Sequence, residues 1–399
     1  MPDLRIWTLH LMTLDLILAA LAFLSLALMV WQWFVARRFP LHQRVKEHSF
    51  PPAVTLLKPL KGYDEFTEEC LRSWFEQDYT GRVQILFGVA SADDPVCPLA
   101  RSLIASHPNI EAELIICGEP SGANAKVSKL ARLAPLAKYE ILIISDADVR
   151  VPPDLLSNLV EPLRETERGL VNCFYRLANP TTAAMRWEAV AINADFWSQV
   201  LQAQSLKPLD FALGAVMGTR RAQLQQIGGF TSLENCLADD YQLGNRIARR
   251  GHRIVISPVV VECWSPPMTW RAVWKHQLRW ARTIRVSQPL PYFFSILSNA
   301  TLWPLLWFVF HPVASVLILA SCCWLIRIMT AIDLQSRLAR VPHPSPINHQ
   351  PSTISPSLWL IPLKDILQTA IWFLAFLGNR IEWRGQRLRL RRDGTLVRD

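Results

Sequence analysis

Residues 141–153 read ILIISDADVRVPP, four branched apolar residues that run straight into Ser145-Asp146-Ala147-Asp148. An unbroken apolar run of this length, without polar alternation, describes a strand buried on both faces. The stretches AVTLLKPL (53–60), VQILFGVA (83–90) and AELIICG (112–118) have the same character. Between them lie helical patterns over Asp64–Gln77 and Val127–Leu136. Strands alternating with helices at this spacing predict βαβ units around a mostly parallel sheet. Ligands in such sheets bind beyond the carboxyl ends of the strands, so the two acids at 146 and 148 stand where a site is expected.

The α/β region is bracketed by apolar sequence. Residues 11–36, LMTLDLILAALAFLSLALMVWQWFVA, carry one charge, Asp15, and are long enough to cross a bilayer. A cleaved signal peptide fits less well, because the run is too long and no small-residue cleavage site follows. Arg37-Arg38 then predict that the next segment is cytosolic. After residue 290, FFSILSNATLWPLLWFVF (293–310) and VASVLILASCCWLIRIMTAI (313–332) predict a hairpin of spans. A polar, Pro-rich linker at 340–357 leads to an apolar segment at 358–378 that contains Lys364-Asp365. A full span there would place the basic residues 379–399 outside, so a re-entrant or interfacial segment is expected and the remainder reads as a basic cytosolic tail.

The composition agrees with a membrane protein. Over 399 residues the net charge is +9, with 51% hydrophobic and only 19% charged residues, and the mean hydropathy is +0.16. The basic residues crowd beside the apolar segments, which suits anionic lipid or phosphate-bearing substrates, and no nucleic-acid-binding pattern is present. Eight cysteines form no CxxC pair and no zinc-type spacing, and read as buried, reduced thiols.

Four short stretches can carry chemistry. Carboxylates at i and i+2 of an extended chain point the same way, so Asp146 and Asp148 can converge on one divalent cation, magnesium or manganese, that also binds a diphosphate. A solvated turn with Asp caps is the plainer alternative. In Leu237-Ala238-Asp239-Asp240-Tyr241 one acid suffices to cap the following helix, which leaves the other as a candidate general base. The stretch Lys275-His276-Gln277-Leu278-Arg279-Trp280-Ala281-Arg282 reads either as an interfacial helix or as a phosphate clamp, and the residues alone leave both open. Gly122-Ala123-Asn124-Ala125-Lys126 is a small-residue loop that either approaches a diphosphate or forms a surface turn. Asp93-Asp94-Pro95 follows the strand at 83–90. Walker A and GxGxxG patterns are missing, so ATP and dinucleotide binding by those routes is unsupported.

Taken in order, these stretches resemble the ceramide glucosyltransferase family, glycosyltransferase family 21, including its bacterial hopanoid glycosyltransferase-like members. The resemblance runs through VTLLKPLKGYDE (54–65), FEQDY (75–79), ADDP (92–95) and HPNIEAELIICG (107–118). It continues through GANAKVSKL (122–130), SDADVRVPPDLL (145–156), GGF (228–230), LADDYQLG (237–244), RWART (279–283) and WRGQRLRLRRDGT (383–395).

The resemblance implies a GT-A type, Rossmann-like catalytic domain over 50–265, on the cytosolic face of a multi-pass membrane protein. Around it would lie a signal anchor (1–38), an interfacial helix bearing the Arg-Trp motif (266–290) and the hairpin (291–333). It implies that Asp94 contacts the nucleotide, Asp146 the metal and diphosphate, and Lys126 the diphosphate. Asp240 would be the catalytic base, and Arg279 with Trp280 would close the (Q/R)xxRW motif on the donor side. Two departures stand out. His276 occupies the first motif position, with Gln277 one residue late, and Asp148 supplies a second acid that animal-type members do not keep. The activity implied is inverting transfer of glucose from UDP-glucose to the primary hydroxyl of ceramide. The nearest rival is transfer from UDP-N-acetylglucosamine or another UDP-hexose to a hopanoid or other lipid polyol. A catalytically dead membrane scaffold is the reading from a different class. The apolar, Trp-bearing runs at 196–218 and 266–278 are candidates for the rim where the lipid acceptor enters, or plain core.

Overall fold

The computed structural model describes residues 2–45, 49–340, 359–383 and 386–398. The linker expected at 340–357 therefore lies, apart from Arg340, outside the described residues. A long helix α1 (Pro2–Arg38) leads into β1 (Val54–Pro59), α2 (Thr67–Arg72), β2 (Val83–Val89), α3 (Cys97–Ser106), β3 (Glu111–Ile116), α4 (Ala125–Leu133) and β4 (Ile141–Ser145). The next elements are β5 (Val149–Arg150), α5 (Leu155–Val160), β6 (Arg168–Leu177), α6 (Ala183–Val190), a π turn (Ala191–Phe196) and α7 (Trp197–Leu206). Then come β7 (Val216–Arg220), α8 (Arg221–Gln226), α9 (Asp239–Arg249), β8 (Arg253–Cys263) and α10 (Trp270–Ser287). The chain finishes with α11 (Pro289–Phe294), α12 (Leu302–Phe310), α13 (Ala314–Ala339), α14 (Leu360–Phe376), β9 (Arg380–Trp383), β10 (Gln386–Leu390) and β11 (Leu396–Arg398).

Eight strands form one sheet in the order β3-β2-β1-β4-β7-β6-β8-β5. The β4 run is apolar throughout because both of its faces are covered. Leu142 and Ile144 join one core cluster, while Ile141 and Ile143 join the other. The sheet is mostly parallel, as expected, with β7 and β5 reversed. Strands β1, β2, β3 and β4 are parallel, but β7 runs antiparallel to both β4 and β6. The helical excursion through α6, the π turn and α7 returns the chain to the end of the sheet that β6 leaves, which sets the direction of β7. Ala215 thereby meets the tip of β4, where its carbonyl accepts from the Asp146 amide at 3.2 Å.

Among the described residues, two helices are long and apolar enough to cross a membrane, Met12–Arg38 and Ala314–Ala339, with mean hydropathies of 2.3 and 2.0. The pair Pro289–Ser298 and Leu302–Phe310 adds a third apolar passage bent by 55°. Asp15 is met at the end of α12, where Trp307 Nε1 donates to it at 2.8 Å and His311 Nδ1 lies 2.7 Å away. α14 has 17 residues, and its two charges are buried in protein. Arg327 of α13 makes a two-pronged contact with Asp365, at 2.9 and 2.8 Å, and reaches Asp195 of the π turn at 3.0 Å. Lys364 pairs with the same Asp195, and Thr301 donates to Asp365 at 2.5 Å. The cluster balances two cations against two carboxylates, as burial of charge requires.

The segment read as a basic tail is folded. β9, β10 and β11 make a separate antiparallel sheet, whose Ile381, Leu388, Leu390 and Leu396 pack with Leu237. Alternation of Arg and Leu along β10 is the period-two signature of a strand with one buried face.

Candidate active site

The site begins where β4 ends. Lys58, the one charged residue in β1, is fully buried beneath that tip. Its ammonium donates to the Asp146 carbonyl at 2.6 Å and to Ser145 Oγ at 3.2 Å, and lies 5.3 Å from the ring centre of Trp74. Burial lowers its pKa to about 8, against the pull of the nearby acids. Lys58 thus pins the backbone from which Asp146 and Asp148 project.

Lys126 stands at the centre of the acids. Its Nζ lies 2.7 Å from Asp146 Oδ1 and 3.0 Å from Asp239 Oδ2. Burial opposes its charge, but Asp146 and Asp239 outweigh that and hold its pKa above the ordinary value. The lysine is aimed by its own helix start. Asn124 caps α4, accepting from the Lys126 and Val127 amides at 3.1 and 3.3 Å. The Asn124 amide donates to the Cys236 carbonyl at 2.9 Å and to Asp239 at 3.3 Å, fastening the two loops together.

Asp240 occupies the first turn of α9, beside Asp239. Its Oδ1 accepts from the Tyr241 amide at 2.8 Å. Any side chain at Gly214 would put a Cβ 2.7 Å from Asp240 Oδ2, so only glycine permits this approach. Burial, followed by the charge of Asp239, raises the Asp240 carboxyl to about 6. Asp148 behaves similarly. Its side chain reaches water, but the surrounding protein and then the Asp146 charge push its carboxyl up to about 6. The structure therefore brings Asp146, Asp148, Asp239 and Asp240 around one lysine, an excess of negative charge.

Asp94 sits on a different loop, where Oδ1 accepts from the Gly62 and Val96 amides at 2.9 and 3.2 Å. That tie joins the loops after β1 and β2. His276 and Gln277 both meet Glu188 of α6, a carboxylate only 1% exposed. His276 Nδ1 and Gln277 Nε2 approach the same oxygen at 2.6 and 2.8 Å. Trp280 packs edge-on against His276, with ring centres 4.7 Å apart, and against Phe196 of the π turn at 6.1 Å. Arg279 lies on the same helix turn, and its carbonyl accepts from Thr283 at 2.8 Å. Burial pushes the Tyr175 phenol well up, and its ring lies 5.6 Å from that of Phe196 in the π turn.

The sequence reading left Lys58, Tyr175 and Glu188 without roles. A lysine inside an otherwise apolar strand was the signal for Lys58, and a single acid within AAMRWEAV (183–190) was the signal for Glu188.

A divalent cation would find hard oxygen ligands at Asp146 and Asp148, and the raised Asp148 carboxyl marks a charge excess that a cation relieves. No set of three His, Cys, Asp or Glu converges on an ion position among the described residues. A carboxylate pair would leave room in the shell of magnesium or manganese for diphosphate oxygens and water.

The profile of Glycosyl transferase family 21 matches residues 17–396 of this sequence. The chain belongs to glycosyltransferase family 21. Ceramide glucosyltransferase 1 of Caenorhabditis elegans is 27% identical over 229 residues, covering 55% of this chain and 47% of that protein. A ceramide glucosyltransferase of Komagataella phaffii is 36% identical over 117 residues, or 28% of this chain and 23% of that one. The probable glycosyltransferase YdaM of Bacillus subtilis is 23% identical over 312 residues, 73% of this chain and 72% of its own. The match spans only about half the length of the two nematode ceramide glucosyltransferases, at 47% and 48%.

Among solved structures, the mannosyltransferase PcManGT from Pyrobaculum calidifontis, in complex with GDP-Man and Mn2+, superposes with a TM-score of 0.53 at 20% identity. The superposition covers 91% of this chain and 98% of that one. The architecture is accordingly GT-A-like, as the resemblance implied, with apolar helices at both ends. This chain places the His276 imidazole at the motif position where Gln or Arg was expected and the Gln277 amide one residue later, and both meet buried Glu188.

Proposed function

We propose that this family 21 chain is a membrane-bound, inverting glycosyltransferase that moves glucose from UDP-glucose to the primary hydroxyl of ceramide. The observation that carries the chemistry is the convergence of Lys126 with Asp146, Asp239 and Asp240, beside an Asp148 left with its carboxyl raised. The acceptor assignment is supported by the ceramide glucosyltransferases among the relatives.

Asp240 acts as the base. A carboxyl raised to about 6 is largely ionised at neutral pH yet basic enough to take a hydroxyl proton as attack proceeds. The acceptor oxygen forms the new bond to the anomeric carbon while the bond from that carbon to the UDP oxygen breaks. The electron pair leaves on the diphosphate, and the proton remains on Asp240. One displacement converts an α-linked donor into a β-glycoside. Lys126 exchanges part of its contact with the acids for the diphosphate, and Arg279 adds charge from the motif helix. Asp146 and Asp148 would hold magnesium or manganese, which when bound supplies positive charge to the leaving diphosphate. Asp94, whose carboxylate accepts from two amides, contacts the nucleotide in this reading. Trp280, on the donor side in this reading, continues through ring contacts with His276 and Phe196 to Tyr175. In this reading the catalytic domain faces the cytosol, and α1 and the helices after residue 290 anchor it.

The test is mass spectrometry of lipids from cells expressing the chain or its Asp240→Asn form. A hexosyl-ceramide present only with the unaltered chain supports the reading. A hexosaminyl-hopanoid instead would move the acceptor to the rival class, and unchanged lipids with an active donor control would favour a scaffold.

A further inference from the structure

We propose that the outer face of the C-terminal sheet docks on an anionic bilayer surface and, through β11, holds in place the loop that carries Asp239 and Asp240. The sheet has two unlike faces. Leu388 and Leu390 of β10 are buried, while Arg387 and Arg389 between them are exposed. The register sets Arg389 beside Arg380 of β9 and Arg387 beside Glu382, an acid already paired with Lys275, and the following turn adds exposed Arg391 and Arg392. Like charges on neighbouring strands repel, and phosphodiester headgroups would relieve that repulsion.

An apolar surface continues from this cationic one. Phe373, Phe376 and Leu377, at the end of α14 and just before β9, are exposed, as are Phe293 and Phe294 of α11. Phe293 and Phe376 pack together with ring centres 6.3 Å apart, and the Arg285 guanidinium lies 5.7 Å from the Phe376 ring. Aromatic and aliphatic side chains bordered by arginines suit the boundary of a leaflet, with rings among acyl chains and guanidiniums among phosphates. That continuity favours lipid over nucleic acid as the occupant.

The inner face reaches the site. The Leu396 amide donates to the Asn235 carbonyl at 2.7 Å, and the Leu237 amide to the Gly394 carbonyl at 3.3 Å. Cys236 and Thr395 form an isolated β-bridge. The loop so held is the one that Asn124 clamps from the other side. On the motif side, Lys275 of α10 pairs with Glu382 of β9 at 2.6 Å, and Arg282 and Arg285 bind the Arg380 carbonyl and Asn379. The sheet thus bridges the acid loop and the Arg279 helix.

The inference rests on the membrane-bound part of the proposed function and on no step of transfer. The test uses the full chain in nanodiscs of phosphatidylcholine alone or mixed with phosphatidylglycerol, with amide hydrogen exchange read over 386–398 and 233–240. Each arginine at an anionic surface contributes about fivefold in affinity. Both segments should exchange about tenfold more slowly in the anionic discs, and high salt should remove the difference. The Arg387→Gln/Arg389→Gln/Arg391→Gln/Arg392→Gln variant should show no difference between discs while β4 keeps its protection. Equal exchange of the unaltered chain in both discs would overturn the docking. Slowing confined to 386–398 would overturn the coupling to the acid loop, and slowing by an RNA oligonucleotide in neutral discs would overturn the lipid assignment.

Discussion

The ammonium of Lys126 sits 2.7 Å from Asp146 Oδ1, so the first acid of the strand tip is already engaged by a cation that belongs to the protein. The same ammonium reaches Asp239 at 3.0 Å, which ties the end of β4 to the start of α9. Lys126 braces the two loops, and in the proposed function it is the charge that would turn toward a diphosphate.

Removing that brace should uncouple the two loops. Lys126→Met leaves buried carboxylates uncompensated, and loss of one partner from such a cluster costs about 3 kcal/mol. The thermal midpoint in detergent should fall and should recover partly on adding manganese, which takes over the neutralisation, while transfer falls at least about a hundredfold. A midpoint indifferent to both the substitution and the metal would contradict the bracing role.

The pH profile should report Asp240. With the Asp240 and Asp148 carboxyls both raised to about 6, the rate should climb as they ionise near pH 6 and be lost below it. The sign for stability is opposite. The folded chain holds this proton more tightly than the unfolded one, so Asp240 costs stability above about pH 6, and that cost disappears as pH falls toward 4. Asp240→Asn should therefore abolish transfer yet raise neutral-pH stability by about 1–2 kcal/mol. Rate measurements from pH 5 to 8 and paired unfolding curves check both halves.

Asp148 should matter to the cation more than to the fold. Asp148→Asn keeps the shape of the strand tip and removes one hard, charged ligand, so manganese binding in the presence of UDP should weaken by about tenfold or more. Titration followed by the paramagnetic resonance of free manganese measures this. Chelation should silence the unaltered protein, and undiminished binding by the variant would assign the ion elsewhere.

The buried cluster beneath the catalytic domain should behave as a unit. Arg327→Met strands Asp365 and Asp195 with Lys364 as their only cation among the residues of the cluster, at a cost of about 3–5 kcal/mol. Asp365→Leu on the same background should return part of that, since removing both partners is milder than removing one. A double-mutant cycle on thermal midpoints reads the coupling. Strict additivity would separate the two residues.

Much of this was legible before any coordinates. The branched run at 141–144 announced β4, and the acids behind it sat where an α/β sheet puts a ligand. Asp146, Lys126 and Asp240 could each be named, but the sequence could not show that one lysine joins two loops, because that depends on how α4 and α9 are set against each other. The direction of β7 was hidden as well: VMGTR (216–220) is too short to carry an orientation, which the preceding helices decide. Lys58 and Glu188 escaped notice for a shared reason. A lone charge in an apolar element reads as a surface position until a buried partner is found for it. The arginines of β10 concealed a strand in the same way, since charge drew attention from the alternating leucines.

The strand that fastens the acid loop comes from the far end of the chain. During synthesis the strands and helices from β1 to β8 are translated first, yet Asn235 and Leu237 wait for Leu396 and Gly394 to leave the ribosome. Until then the loop bearing Asp239 and Asp240 lacks one of its two fastenings. Translation of β11 therefore has to precede the final fastening of the loop that bears Asp239 and Asp240.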